Sequence, residues 1–197
     1  MDNIIQLKIT LKETKPPVWR RILVHKDTTF FELHHIIQIT MGWFNYHLFE
    51  FDINRNKIGE PNKEFDFFDG VDVIESSTVT LDSMIKSLKQ NFSYEYDFGD
   101  GWQHQISVEK FLPIDSSINY PICLKGKLSC PPEDCGGIGG YYQMLNVLDD
   151  KNHPEHEEMI EWLGGEYDSE YFDKDEANDE LAVLEDYIKE WQDETFG

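Results

Sequence analysis

The sequence predicts an α+β fold: a mixed or antiparallel sheet built from hairpins, an early helix packed on it as an α/β roll, and an acidic helical C-terminal part. Three observations predict it. Two pairs of segments alternate apolar and polar residues with period two and are joined by turn chemistry. Between those pairs lies a segment with helical spacing and a capping signal at each end. The last quarter of the chain has helical spacing and carries most of the negative charge.

Ile5, Leu7, Ile9 and Leu11 alternate with Gln6, Lys8, Thr10 and Lys12, which reads as a half-buried strand. Pro16-Pro17 interrupts it, because proline has no backbone donor, and residues 18–25 return as a second strand after a connection over 13–17. Thr29 and Glu32 form a capping-box pair. Leu33, Ile36, Ile37 and Met41 then recur at helical spacing until Gly42 supplies a left-handed stop. Residues 47–53 alternate again, with His47, Phe49, Phe51 and Ile53 on one face. Two strands, a helix and a strand make an α+β opening, and ubiquitin-like packing is one arrangement this order allows.

Residues 54–78 read as a hydrated excursion, with turn signals at Asn54-Arg55-Asn56 and Asp69-Gly70. Residues 80–88 predict a short helix. Residues 92–98 and 102–111 form the second hairpin, turning at Gly99-Asp100-Gly101. Phe92, Tyr94, Tyr96 and Phe98 share one face of its first strand; Trp102, His104, Ile106 and Val108 share one face of the return. A loop rich in proline, cysteine and glycine covers 120–140. Pro154 suits the first position of a helix that Gly164-Gly165 ends. Asp173 and Glu176 cap a final helix striped with Ala177, Leu181, Leu184, Ile188 and Trp191. One domain over residues 1–197 is expected: 1–112 mainly sheet plus helix, 113–148 loop and helix, 149–197 acidic helical segment.

Composition bounds the function. Hydrophobic residues make up 40% of the 197, enough for a core. No stretch approaches the ~20 consecutive apolar residues of a membrane span, and the first residues lack a secretory pattern. Three cysteines, an odd number, do not suggest a disulfide framework, so a cytoplasmic location is expected. Net charge is -22, and residues 149–197 hold 19 acidic against 3 basic side chains. Such a field repels phosphate backbones and anionic membrane surfaces, which makes nucleic acid an unfavoured partner. The acidic tail reads as a solvated helical face.

Four strings stand out: Pro16-Pro17-Val18-Trp19-Arg20-Arg21; Gly42-Trp43 with His47-Leu48-Phe49-Glu50-Phe51; the run from Tyr94 to His104 containing Asp97-Phe98-Gly99-Asp100; and Cys130-Pro131-Pro132-Glu133-Asp134-Cys135-Gly136-Gly137. In this order, from residue 4 to about residue 185, the chain resembles the plasmid pRiA4b ORF-3-like family. The resemblance implies an α+β domain of bacteria or archaea, sometimes carried by mobile elements, and implies no particular reaction. Some relatives carry a resolvase-like label. Recombinases support their nucleophile with several arginines, and this chain has three, Arg20, Arg21 and Arg55, so that activity is not expected of it.

Candidate site residues fall into three groups. His47, Asp97, Asp100, His104, Cys130 and Cys135 are metal-ligating types, with Glu133 and Asp134 at their edge; a divalent metal (zinc, iron or manganese) held there would suit a metal-dependent hydrolase. Four residues separate Cys130 from Cys135, against the usual two of zinc knuckles, and the plain alternative is a buried His104 with packed cysteines. Adjacent His34 and His35 read as surface or rim residues. Gly136-Gly137 and Gly139-Gly140 precede a helix but lack the lysine of a phosphate loop, so backbone turning is the expected role. Arg20 and Arg21 face opposite sides of a strand, and the buried one is expected to pair with a carboxylate. The leading expectation is a non-enzymatic interaction or regulatory module taking a protein or peptide. Trp19, Trp43, Tyr94, Tyr96, Phe98 and Trp102 are the candidate groove aromatics, with the core as their default place. Nucleic-acid contact through Lys8, Lys12, Lys15, Arg20 and Arg21 ranks last.

Overall fold

The alternating residues at the start of the chain form a strand that lies near the middle of a wide sheet. The computed structural model describes residues 2–61 and 72–196. Within them are eight strands: β1 (Asp2–Leu11), β2 (Trp19–His25), β3 (Phe49–Ile53), β4 (Asn56–Gly59), β5 (Val73–Glu75), β6 (Asn91–Tyr96), β7 (Trp102–Pro113) and β8 (Ile122–Lys127). They form one mixed sheet in the order β5-β4-β3-β6-β7-β1-β2-β8, with only β4 and β5 parallel. Ile5, Leu7, Ile9 and Leu11 point into the core, and Gln6, Lys8 and Thr10 to the other face.

Among the described residues six α-helices accompany the sheet: α1 (Phe30–Met41), α2 (Leu81–Met84), α3 (Gly137–Asp149), α4 (His156–Trp162), α5 (Lys174–Leu181) and α6 (Leu184–Phe196). Both halves of the capping box open α1: Glu32 N–H donates to Thr29 Oγ1 at 3.1 Å and Thr29 N–H to Glu32 Oε2 at 2.7 Å. Gly42, at φ 82°, closes it. Helix α1 is buried almost all round, because sheet residues cover one side and α5 and α6 contact it from another. Its His34 and His35 are therefore fully buried, not rim residues.

Several elements differ from expectation, each for a local reason. Strand β3 begins at Phe49, leaving His47 in the preceding loop. The stretch expected to be a hydrated excursion contains β4 and β5. Asn54 and Arg55 both take positive φ and reverse the chain, so that Ile58 is buried against β3. The Asp69-Gly70 signal lies outside the described residues. Asp97, at φ 55°, turns the chain out of β6, and Phe98 leaves the face of Tyr94 and Tyr96 to lie 50% exposed. Residues 122–127, expected as loop, are edge strand β8; Lys125, Gly126 and Lys127 hide the alternation there, as lysine does at sheet edges. Pro154 precedes α4 by two residues, and the expected final helix breaks at Ala182-Val183 into α5 and α6. No helix of the described residues is long and apolar enough to cross a membrane.

Candidate functional site

All four unusual strings contribute side chains beside the C-terminal end of α1: Arg20, Trp43, Tyr96 and Glu133 lie there. Asn45 anchors the loop between α1 and β3 from inside. It adopts φ 62°, is 4% exposed, and its Oδ1 lies 2.6 Å from His34 Nε2 while its Nδ2 lies 3.2 Å from His35 Nδ1. The flanking residues then face outward. Phe44 and Tyr46 are 70% and 76% exposed and stack on each other at 5.8 Å between ring centroids. Glu133 fixes them from the other side: its Oε2 accepts from Phe44 N–H at 2.6 Å and its Oε1 from the Tyr96 hydroxyl at 2.5 Å. That hydroxyl oxygen accepts in turn from Tyr46 N–H at 3.0 Å. Trp43 Nε1 donates to Pro131 O at 2.9 Å and completes the attachment.

The loop forms one wall of a cleft of about 590 Å³, bounded also by the Ser129–Asp134 segment, the end of α4, and α5. Five aromatic side chains are exposed among the described residues, and four of them (Phe44, Tyr46, Trp162 and Tyr171) line this cleft. Glu133, Asp134, Asp173, Glu176 and Glu180 line it too, against one basic residue, Arg20. The carboxylates affect their neighbours. Burial and then Glu176 raise Glu180 above the ordinary range, and the hydrogen bond to Glu176 pushes Tyr171 up to about 12. Burial, and next the hydrogen bond to Glu133, raise Tyr96.

Arg20 cannot neutralise that surface. It is 2% exposed, with Nε donating to Thr40 O at 2.6 Å and Nη1 to Trp19 O and Lys127 O at 3.0 and 3.1 Å. Phe172 stacks on the guanidinium at 3.9 Å. The expected carboxylate partner is replaced by carbonyls, including one at the negative end of α1. A side chain at Gly126 would collide with Phe172 at 2.4 Å and with Arg20 Cδ at 2.8 Å, which explains the glycine in β8. Arg21 lies on the opposite sheet face, bidentate to Glu109 at 2.6 and 2.9 Å.

The other candidate residues separate. His47 Nε2 lies 3.7 Å from Asp97 Oδ2 and 3.2 Å from Asp134 Oδ1. These three are the only group of three or more His, Cys, Asp or Glu ligand atoms within 4.8 Å of one another among the described residues. His104 lies apart, fully buried with Nδ1 3.3 Å from Tyr94 O and held by burial at about 4. Trp102 is also fully buried, with Trp43, Tyr94 and Tyr96 in the same core, so these are not groove residues. Asp100 Oδ2 accepts from Gly136 N–H at 3.1 Å. Cys130 and Cys135 stand outside the ligand group, and burial raises both thiols, Cys135 to about 12. The wall aromatics Phe44, Tyr46, Trp162 and Tyr171 escaped the sequence reading. One signal was present: Phe44 and Tyr46 flank an asparagine just after a helix stop, where a left-handed asparagine turns both neighbours outward.

Residues 3–176 match the family model described as plasmid pRiA4b ORF-3-like protein. The uncharacterized protein y4hQ of Sinorhizobium fredii (strain NBRC 101917 / NGR234) is 36% identical over 186 residues, covering 92% of this chain and 93% of its own. A crystal structure of a protein of unknown function, MM3350 from Methanosarcina mazei Go1, is similar with a TM-score of 0.78 and 38% identity. That likeness covers 87% of this chain and 96% of MM3350.

Proposed function

The chain belongs to the plasmid pRiA4b ORF-3-like family, and we propose that it serves as an interaction module whose cleft takes a lysine- or arginine-bearing segment of a partner protein. The observation that carries this reading is the gathering of four exposed aromatics and five carboxylates in one cleft. Aromatic faces attract cations, by ~0.5–2 kcal/mol each depending on desolvation. Carboxylates around them add charge complementarity and speed the encounter. Pre-organisation supports the reading as well. Asn45 and Glu133 hold the Phe44–Tyr46 pair in place before any partner arrives, so little ordering entropy is lost on binding. The location fits a reducing cytoplasm, because Cys123, Cys130 and Cys135 are free thiols and burial keeps them protonated.

Fluorescence anisotropy with labelled lysine/arginine-rich and acidic peptides of equal length tests the proposal. The basic peptides bind, the acidic ones do not, and Phe44→Ala/Tyr46→Ala weakens binding at least tenfold, about 1.4 kcal/mol. These two substitutions leave the net charge alone, so they separate the cleft from general acidity. Unchanged affinity in the double variant would overturn the assignment of the cleft.

A further inference from the structure

We infer that His47, Asp97 and Asp134 form a binding site for a first-row divalent cation, zinc or manganese, beside the cleft wall to which Asp134 belongs. The three side chains come from three separate segments: the loop before β3, the residue after β6, and the Pro-Pro-Glu-Asp turn. A metal with bonds of ~2.0–2.2 Å to nitrogen and oxygen requires ligand atoms roughly 3.0–3.6 Å apart in octahedral or tetrahedral geometry. The observed separations from His47 Nε2 are 3.2 and 3.7 Å. All three ligand atoms lie within 4.8 Å of one another, and rotation of the exposed Asp134 side chain would draw them onto one centre.

The site is also supported from behind. Asp97 Oδ1 accepts from Gly99 N–H at 2.9 Å, which leaves Oδ2 for the site, and Asp97 N–H donates to Leu48 O at 2.9 Å. Tyr96 packs its ring edge-on to the imidazole, 5.8 Å between centroids, and is itself held by Glu133. His47 Nε2 is enclosed yet makes no hydrogen bond, although two carboxylates stand beside it. A buried polar atom without a partner is costly, and an ion between the three groups would satisfy it while balancing two negative charges. Asp134, with its side chain 67% exposed, provides an open approach and room for water ligands. One imidazole and two carboxylates form a borderline-to-hard donor set, which suits zinc and manganese better than thiophilic ions.

Calorimetric titration of Zn²⁺ and, separately, Mn²⁺ into the reduced, chelator-treated chain decides the matter. The expected result is one equivalent bound, affinity reduced at least tenfold in Asp134→Asn, and binding abolished in His47→Gln. Cys135→Ser binds as the unaltered chain does. Asp134 is exposed, so its variant folds and keeps the test valid if the His47 variant does not. No heat from either metal, affinity that survives Asp134→Asn, or binding lost in Cys135→Ser would each overturn the site.

Discussion

Three buried histidines show how much a single residue's surroundings decide. Burial holds His35 and His104 at about 4, against an ordinary 6.5, and holds His34 well below 6.5, with neighbouring His35 adding to the effect. Neutral imidazoles fit the bonding. Gln38 Nε2 donates to the Tyr94 hydroxyl, which donates to His34 Nδ1; His34 Nε2 then donates to Asn45 Oδ1, and Asn45 Nδ2 to His35 Nδ1. A second proton on His34 would break that direction. The sign of the pH dependence follows. Below about 6.5 the unfolded chain takes up protons that the folded chain refuses, so stability falls as pH drops from about 6.5 toward 4. His35 and His104 each account for on the order of 3 kcal/mol by the bottom of that window, a large share of a typical stability. Urea midpoints measured from pH 7 to 4 in about 0.5 M sodium chloride, where acidic self-repulsion is screened, check this; a midpoint that stays level or rises on acidification would be incompatible with it. Sequence pattern showed His104 as an inward residue of a strand. It could not show His34 and His35, because adjacent helical residues both become buried only where a helix is covered on more than one side, and α5 and α6 arrive from far along the chain.

Elements were legible where local chemistry decides them. Both hairpins, the capping box of α1 and the Asp173 cap of α5 rest on residues within a few positions of each other, and each formed as expected. Strands β4 and β8 were not legible, since a four-residue strand and a lysine-bearing edge strand acquire their identity from the neighbour they pair with. The glycine-rich stretch lies between these cases. It forms the first turn of α3, and its glycines serve different needs. A methyl group on Gly137, which sits at φ 65°, would come within 2.4 Å of Asp100 O, and one on Gly140 within 1.8 Å of Cys135 O. A methyl group on Gly139 meets nothing within 4 Å. Gly137→Ala and Gly140→Ala therefore each destabilise by ~2 kcal/mol or more, as backbone must shift. Gly139→Ala stabilises by ~0.5–1 kcal/mol through helix propensity. Thermal or urea unfolding of the three variants checks the contrast, and equal effects at all three positions would show that close approach is not the constraint.

Across the whole molecule the charge is segregated, and the fold sharpens a bias already visible in the sequence. Lys8 and Arg21 pair across β1 and β2 on the sheet face away from the core, each over the Trp19 ring at 5.1 Å, with Lys125 beside Arg21 on β8. Residues 149–197, with 19 acidic and 3 basic side chains, supply α4, α5 and α6, and α5 borders the cleft. Like charges packed on neighbouring helices repel, so the folded state is strained by the same field that attracts a basic partner. Salt screens both effects: the Debye length falls from ~30 Å at 0.01 M to ~3 Å at 1 M. Over one sodium chloride titration from about 0.01 to 0.5 M, two observables therefore move in opposite senses. The Tm rises as self-repulsion is screened, by several degrees for a few kcal/mol (~2–4 °C per kcal/mol at this size). Affinity for the lysine/arginine-rich peptide falls, because the long-range attraction between cleft and peptide is screened while the aromatic contacts persist. Replacing sodium chloride with an uncharged osmolyte of equal osmolarity isolates the electrostatic part. Affinity that holds level or rises with salt would mean that the cleft's carboxylates take no part in recognition, and binding would then have to rest on Phe44, Tyr46, Trp162 and Tyr171 alone.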